Sequence, residues 1–397
     1  MLQLLKTKIN LRFLVNPFFL YCLAFSVAIV VYLFGWSKIF PPLSANLILF
    51  FALTFILVIM AGIYLNKKGP NIMNHLPFIS FFTEIVFCSI LFLGLLNVLY
   101  MGYLPIADRS HDYREFGMPV IDPLFNTLSI FFSVFMIHSF LDTRGKKYLL
   151  YFLIIVILQI ILFRRSTIIW IFTSSAFLYV LFKKKINLLL LVAAIILIPF
   201  FSYCFGMYGN ERSNLSKTFV LDDLGASERF KNTGLSYNHY MTYLYLSSPL
   251  ANLQKNIDER TVDLNKDDFK SFLFYCLIPE SITLRLEKPL HMTKPECNLI
   301  STNLIVGSIY MVAYFVLGWK GMIIMFIYLI LFIMLCLFVI KKCRSFSMEV
   351  YSILSAFVCL LIFTNFMNRL DILMILFIYP VIFHFILTKS QTVRKAQ

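Results

Sequence analysis

Long apolar runs are the feature that most limits what this chain can fold into. Runs of about 17 to 25 residues recur along the sequence, and a helix of that length crosses roughly 30 Å of hydrocarbon. Residues 43–65 form one such run and are apolar on every face, whereas a membrane β-strand needs about ten residues of alternating polarity. The sequence therefore predicts an all-α fold, a polytopic transmembrane helical bundle.

The composition supports the same fold class. The chain is 60% hydrophobic and only 14% charged, so it has too few polar groups to cover the surface of a water-soluble protein. The first apolar run follows Lys6, Lys8 and Arg12, as in a signal peptide, but the run is long and further runs come after it. We therefore expect an uncleaved first span.

The basic residues indicate topology rather than nucleic-acid binding. The formal net charge is +15, but most of the excess lies in short connectors next to the ends of the apolar runs. Because such clusters mark the cytoplasmic side, they predict a multi-pass membrane protein with both termini in the cytoplasm. No nucleic-acid partner is expected.

About ten spans follow from this topology, with 11 or 12 as the alternative. Seven of them fill residues 1–204, a large periplasmic loop with short helices covers residues 205–302, and the rest lie in residues 303–397. The expected helices are near 14–34, 43–65, 77–99, 120–141, 148–163, 167–182, 187–204, 320–340, 349–366 and 372–388.

The loop has a charge balance unlike that of the rest of the chain. Residues 205–302 contain 12 of the 20 acidic residues and 11 of the 35 Lys and Arg residues, which gives 11 − 12 = −1 against 24 − 8 = +16 elsewhere. The basic excess therefore belongs to the membrane-spanning part, and the loop is a nearly neutral domain.

The apolar residues 303–318 are predicted to be a re-entrant or interfacial element. If they crossed as a helix, Lys341, Lys342 and Arg344 would lie outside, and too few residues would remain to return the basic tail to the cytoplasm. Non-helical backbone at membrane depth is tolerated only where it is buried in protein or faces a water-filled cavity. We therefore expect this element to form part of a site.

A tyrosine-rich helix is predicted at residues 236–246, with the next helix beginning at Ser248-Pro249 as N-cap and first-turn proline. Its tyrosines could stack on sugar rings while their hydroxyls bond sugar oxygens. The alternative is that they lie at the membrane interface, where Tyr is enriched. The candidate substrate-binding tyrosines are Tyr237, Tyr240 and Tyr243.

Outward arginines are the candidate anion ligands. Arg164 and Arg165 lie between two spans on the predicted outer side, where their donor forks suit phosphate oxygens; the alternative is contact with lipid head groups. The loop arginines are more typical of solvated or ion-paired surface residues when each is taken alone. They are Arg212, Arg229, Arg260 and Arg285.

Histidines provide the candidate base, since a neutral imidazole can take a proton from an attacking hydroxyl. His239 lies beside the tyrosines and is preferred over His291 and over His111 of an earlier outer connector. No metal-binding spacing appears, and neither a metal nor a cofactor is expected. Cys276 and Cys297 share the oxidising side, where a disulfide could join them.

Several short segments, taken in order, resemble the O-antigen polymerase (Wzy) and related oligosaccharide repeat-unit polymerases. No single one is specific, and their order and topology match across most of the chain. They are residues 101–106 (MGYLPI), 113–117 (YREFG), 163–167 (FRRST), 243–253 (YLYLSSPLANL), 277–279 (LIP), 301–303 (STN) and 314–321 (YFVLGWKG).

This resemblance implies a glycosyltransferase whose substrate is an oligosaccharide repeat unit on undecaprenyl diphosphate, held among membrane lipids. It also implies a chain-length regulator and a flippase as partners. Arg165, Arg212 and His239 would then be catalytic, the arginines at the diphosphate and His239 as base. Arg164, Arg229, Arg285 and His291 would join the three tyrosines in binding substrate.

Three alternatives stay open. An O-antigen ligase shares the helical plan and the large outer loop but delivers its glycan to lipid A core. A polysaccharide flippase or other carrier predicts short loops and polar residues along a central path, which fits the long loop and the few charges within the spans less well. The third is a non-catalytic scaffold.

Overall fold

The fold is all-helical, as predicted. A computed structural model describes residues 8–9, 12–68, 80–108, 116–183, 186–213, 216–260 and 266–386. Its α-helices are α1 (Pro17–Tyr32), α2 (Ala45–Lys68), α3 (Ser80–Met101), α4 (Ile121–Thr143), α5 (Lys146–Ile161), α6 (Arg165–Lys183), α7 (Leu188–Ser213), α8 (Glu228–Lys231), α9 (Tyr237–Glu259), α10 (Lys266–Phe272), α11 (Glu280–Leu286), α12 (Met311–Lys342), α13 (Ser347–Leu360) and α14 (Leu370–Leu373).

Shorter elements complete the described chain. Helix α14 continues through the π-helical turn Met374–Ile378 to Ile386. Two more π-helical turns span Phe219–Asp223 and Leu273–Leu277, and 3₁₀ turns span Arg12–Val15, Arg344–Phe346 and Phe366–Asn368. Two two-residue strands, Lys8–Ile9 and Ile186–Asn187, pair antiparallel with Lys8 opposite Asn187.

The long apolar helices indicate a membrane protein. Within the described residues, five helices are long and apolar enough to span a bilayer, and two shorter apolar helices accompany them. The five are Ala45–Asn66, Thr83–Met101, Ile121–Thr143, Arg165–Lys183 and Met311–Lys342. The total of about ten spans stays a prediction.

The chain forms two compact units, each built from separate stretches of sequence. The first unit comprises residues 1–66, 185–331 and 358–369, and the second comprises residues 67–184, 332–357 and 370–397. In the first unit α9 packs against α1 and α7. In the second, α4 packs against α3, α5 and α6. The predicted division after residues 204 and 302 follows chain position and stays a prediction.

Helix α9 differs from its predicted form. It begins after Ser236, whose hydroxyl caps the Asn238 amide, but continues unbroken to Glu259 with Pro249 inside. The prediction that a new helix starts at Ser248-Pro249 is therefore wrong. Proline inside a helix costs about 3 kcal/mol. Residues on both sides of it are buried, Ser248 and Leu250 to 1% exposure, and their packing outweighs that cost.

Helix α12 reverses direction near its start. Gly318 has φ 59° and ψ −145°, a conformation that only glycine adopts readily. A Cβ on Gly321 would lie 2.1 Å from the Ala313 carbonyl oxygen, although eight residues of unbroken helix would separate the two by about 12 Å. Residues 311–317, the short arm, therefore fold back against the start of residues 319–342, the long arm. The long arm matches the predicted span 320–340.

Candidate functional site

The predicted sugar-binding tyrosines differ in how accessible they are. Tyr240 is fully buried and its hydroxyl donates to the Leu224 carbonyl oxygen at 2.7 Å; burial raises its pKa above the ordinary value. Tyr243 is 2% exposed and stacks on Phe40. Both belong to the hydrophobic core of the first unit. The half-buried Tyr237 is thus the member of the set open to a ligand.

His239 is half-buried beside α7. Its Nδ1 lies 3.2 Å from the Ser202 hydroxyl oxygen, and its ring centroid lies 5.7 Å from that of Tyr203. A hydrogen bond at one ring nitrogen holds an imidazole in a fixed orientation, which a general base needs. The local geometry is therefore compatible with the predicted role.

Two of the predicted arginines lie near this end of α9. The side-chain Nδ2 of Asn210 donates to Asn238 Oδ1 at 2.8 Å, which brings the end of α7 to the first turn of α9. Arg212 follows two residues later in α7, but its side chain is outside the described residues. Arg229 is exposed in α8, and the ring of the next residue, Phe230, packs 4.9 Å from Tyr240.

In the second unit, Arg164 is engaged by its own neighbours. Its Nη2 lies 2.6 Å from Asp122 Oδ1 and donates to the Phe116 carbonyl oxygen, and the guanidinium lies 5.6 Å from the Phe116 ring centroid. Burial lowers the pKa of Arg164, and the Asp122 carboxylate opposes that shift. Arg164 is thus held at the start of α4 by its ion pair with Asp122. Arg165, the first residue of α6, is half-buried.

The remaining predicted residues lie apart from these groups or outside the described chain. Arg285 is exposed in α11, and the exposed His291 follows that helix with φ 51°. His111 and residues 113–115 of the resemblance segments are outside the described residues. Cys276 and Cys297 are both free thiols, so the predicted disulfide is not formed in the structure.

An asparagine face on α9 holds the segment that leads to the short arm. Asn252 and Asn256, one turn apart, are fully buried. Asn252 Nδ2 donates to the carbonyl oxygens of Leu304 and Val306 at 2.6 and 2.8 Å, and its Oδ1 accepts from the Ile300 amide at 2.9 Å. Asn256 pairs in the same way with both backbone groups of Asn298. The asparagine side chains of α9 therefore bond to the backbone groups of this segment, as a neighbouring strand would in a β-sheet.

Arg260 ends α9 and contacts the short arm directly. Its guanidinium carbon lies 4.3 Å from the Phe315 ring centroid. Its Nη1 is buried, yet it has no hydrogen-bond partner among the described residues. Tyr314 interacts electrostatically with both Arg260 and Asp258. We call Arg260, Phe315, Tyr314 and Asp258 the Arg260 centre.

The sequence alone does not indicate the Arg260 centre, because Arg260 is one of several arginines predicted to lie on the surface. Its position at a helix C-terminus, where a cation is favoured, is a weak signal. Its contact with Phe315 depends on the fold-back at Gly318, which no local pattern near residue 260 indicates.

The two ends of α9 carry different chemistry. His239 and Arg260 are 21 residues apart on one helix, which separates their backbones by about 32 Å. They cannot contact the same reacting bond. The described residues include no group of three or more His, Cys, Asp or Glu side chains suited to a metal ion.

No protein-family model, no curated protein and no solved structure matches the chain.

Proposed function

We propose that this protein polymerises oligosaccharide repeat units carried on undecaprenyl diphosphate, as a glycosyltransferase at the periplasmic face of the bacterial inner membrane. The product would be O-antigen or a related surface polysaccharide. The proposal joins two kinds of support: the order of sequence segments that resembles this class of enzyme, and the Arg260 centre. A chain-length regulator and a flippase would be its partners in the membrane.

The geometry of Arg260 carries the proposal. Glycosyl transfer from a diphosphate carrier breaks the bond between the sugar carbon and a phosphate oxygen, and negative charge grows on that oxygen. A fixed cation stabilises such charge. The Arg260 guanidinium packs against the Phe315 ring, and its Nη1, which has no hydrogen-bond partner among the described residues, is a donor that a phosphate oxygen could satisfy. We assign the diphosphate to Arg260.

A carboxylate is available for the acceptor sugar. Asp258 is exposed, and one of its oxygens accepts from Gln254 Nε2 at 2.7 Å. In the proposed reaction the acceptor hydroxyl loses its proton to Asp258, its oxygen forms the new bond to the sugar carbon, and undecaprenyl diphosphate leaves at Arg260. His239 is too far along α9 to act on this bond.

The predicted assignment is the rival arrangement. There His239 is the base at the other end of α9, and the diphosphate would be held by Arg165 and Arg212. Because about 32 Å separates the two ends, single substitutions distinguish the arrangements. Arg260→Ala should abolish polymerisation if our assignment is correct, whereas His239→Ala should abolish it in the rival one.

The test uses the host strain that makes the polysaccharide. Deletion of the gene should leave lipid A core with one repeat unit, visible on a lipopolysaccharide gel. The wild-type gene should restore the ladder, Arg260→Ala should not, and Lys288→Ala, which removes an exposed cation just after α11, should restore it.

Other outcomes would contradict the proposal. Free core with accumulated lipid-linked polymer would identify a ligase. Free core with single lipid-linked units confined to the inner leaflet would identify a flippase. Full ladders from Arg260→Ala together with none from His239→Ala, at equal protein levels, would favour the rival site.

A further inference from the structure

A histidine and a glutamate meet inside the second unit. His138 lies in α4 and Glu349 in α13, and His138 Nδ1 is 2.6 Å from Glu349 Oε1. Both side chains are 1% exposed. Helix α4 is one of the candidate membrane spans, where ionisable side chains are rare and costly. A purely structural contact between these helices would be met at lower cost by two apolar side chains.

Only one of the two carboxyl oxygens of Glu349 has a hydrogen-bond partner among the described residues. The other oxygen, Oε2, is buried. An unpartnered carboxylate oxygen is unfavourable in the protein interior, and the cost is greatest when the pair carries a net charge. The arrangement is therefore open to a further proton.

The surroundings are aromatic, with charges nearby. The His138 ring lies 5.8 Å from the Phe182 ring of α6, and the Lys183 ammonium lies 5.8 Å from the same Phe182 ring. The other charged side chains close in sequence to the pair are Asp142, one turn further along α4, and Arg344, just before α13.

We propose that His138 and Glu349 form a proton-binding site, whose ligand is a proton exchanged with solvent. Without that proton, a neutral imidazole donates to a carboxylate and the pair has a net charge of −1. With it, the pair is net neutral, the proton being held by the imidazole or by the carboxyl group. This site is independent of the proposed glycosyl transfer.

The experiment follows the imidazole nitrogens of His138 directly. The full-length protein is labelled with ¹⁵N-imidazole histidine, placed in lipid nanodiscs and titrated by NMR from about pH 5 to about pH 9, which brackets the ordinary histidine range. Loss of a resonance in His138→Gln assigns it. The His138 nitrogens should titrate. Glu349→Gln should change the midpoint of this titration, because it replaces the carboxylate that contacts the His138 ring.

A matched variant keeps the result specific. Glu84→Gln removes an exposed carboxylate of the same unit, which pairs with Lys147 at 3.6 Å, and should leave the midpoint unchanged. Nitrogen shifts of His138 that stay constant across the range would overturn the proposal, and this result needs only the wild-type protein. An unchanged midpoint in folded Glu349→Gln would overturn it as well.

Discussion

The guanidinium carbon of Arg260 lies 4.3 Å from the centroid of the Phe315 ring, across 55 residues of sequence. This contact joins the end of α9 to the short arm of α12. It holds the guanidinium against an aromatic ring, and the buried Nη1 has no hydrogen-bond partner among the described residues. A cation on an aromatic face contributes about 0.5 to 2 kcal/mol, depending on desolvation.

The contact predicts a specific response to anions. Inorganic pyrophosphate should raise the thermal unfolding temperature of the detergent-solubilised protein, because a ligand that binds only the folded state stabilises it. Arg260→Ala should lose this increase and Phe315→Leu should reduce it, whereas Lys288→Ala, which removes an exposed cation just after α11, should keep it. An increase that persists in full in Arg260→Ala would show that pyrophosphate binds elsewhere.

The asparagine face of α9 predicts a large loss of stability from one substitution. Asn252→Ala removes three hydrogen bonds to the backbone of residues 300–306 and leaves the partner groups of a fully buried side chain unpaired. Each backbone group left unpaired costs about 1 to 3 kcal/mol, so we expect the free energy of unfolding to fall by about 3 kcal/mol or more. Chemical unfolding in mild detergent measures it.

Two further variants make that measurement selective. Asn252→Asp keeps the acceptor for the Ile300 amide but loses both donated bonds, so its stability should fall nearly as far. Asn232→Ala removes an exposed asparagine and should change stability by less than about 0.5 kcal/mol. Equal stability of the Asn252 and Asn232 variants would contradict the proposed role of this face.

Much of the fold could be predicted from the sequence because apolar length is a local signal. Helices α2 and α4 lie within two or three residues of their predicted bounds. Helix α9 could be located but its environment could not. Its sequence is polar, and such a helix is ordinarily half-exposed. Here Asn252, Gln254 and Asn256 are fully buried because they bond to backbone far away in the chain.

The candidate sites were harder to predict, because each depends on partners distant in sequence. Asp122 and Arg164 are 42 residues apart, and His138 and Glu349 are 211 residues apart. Neither residue of such a pair carries a local pattern that identifies the other. The same limit applies to Tyr240. A tyrosine can stack on a sugar or pack in a hydrophobic core, and only its packing in the folded protein distinguishes the two roles.

The fold-back of α12 predicts that two glycines cannot be replaced. Gly318→Ala forces a side chain into a conformation that costs about 1 to 3 kcal/mol. Gly321→Ala puts a methyl group 2.1 Å from the Ala313 carbonyl oxygen, which cannot move without shifting the short arm. We expect each to lower the free energy of unfolding by about 1 to 3 kcal/mol and to weaken stabilisation by pyrophosphate.

Gly94→Ala is the matched control for these variants. It lies in α3, and its new methyl group would be 3.1 Å from the Phe125 side chain, which can shift slightly. It should lower stability less and leave the pyrophosphate response intact. A Gly321→Ala protein as stable as Gly94→Ala would indicate that the short arm does not pack against residue 321.

The two loop cysteines predict an alkaline reactivity profile. Burial raises the pKa of Cys276 to about 12 and that of Cys297 to about 11; Arg260 and Lys294 oppose the shift at Cys297. Since the thiolate is the reactive form, both should be alkylated slowly at pH 8. Labelling of Cys297 by iodoacetamide should then rise about tenfold per pH unit up to about pH 11.

The same shifts give a stability effect of defined sign. Both folded-state pKa values exceed the unfolded value of about 8.5, so the protonated thiols contribute stability that is fully present below about pH 8.5. It is lost as the pH rises toward about 11 for Cys297 and about 12 for Cys276. Denatured protein, in which both thiols react at pH 8, is the control. Labelling of native Cys297 at pH 8 as fast as in the denatured protein would contradict the prediction, and labelling that appears only after reduction would reveal the disulfide instead.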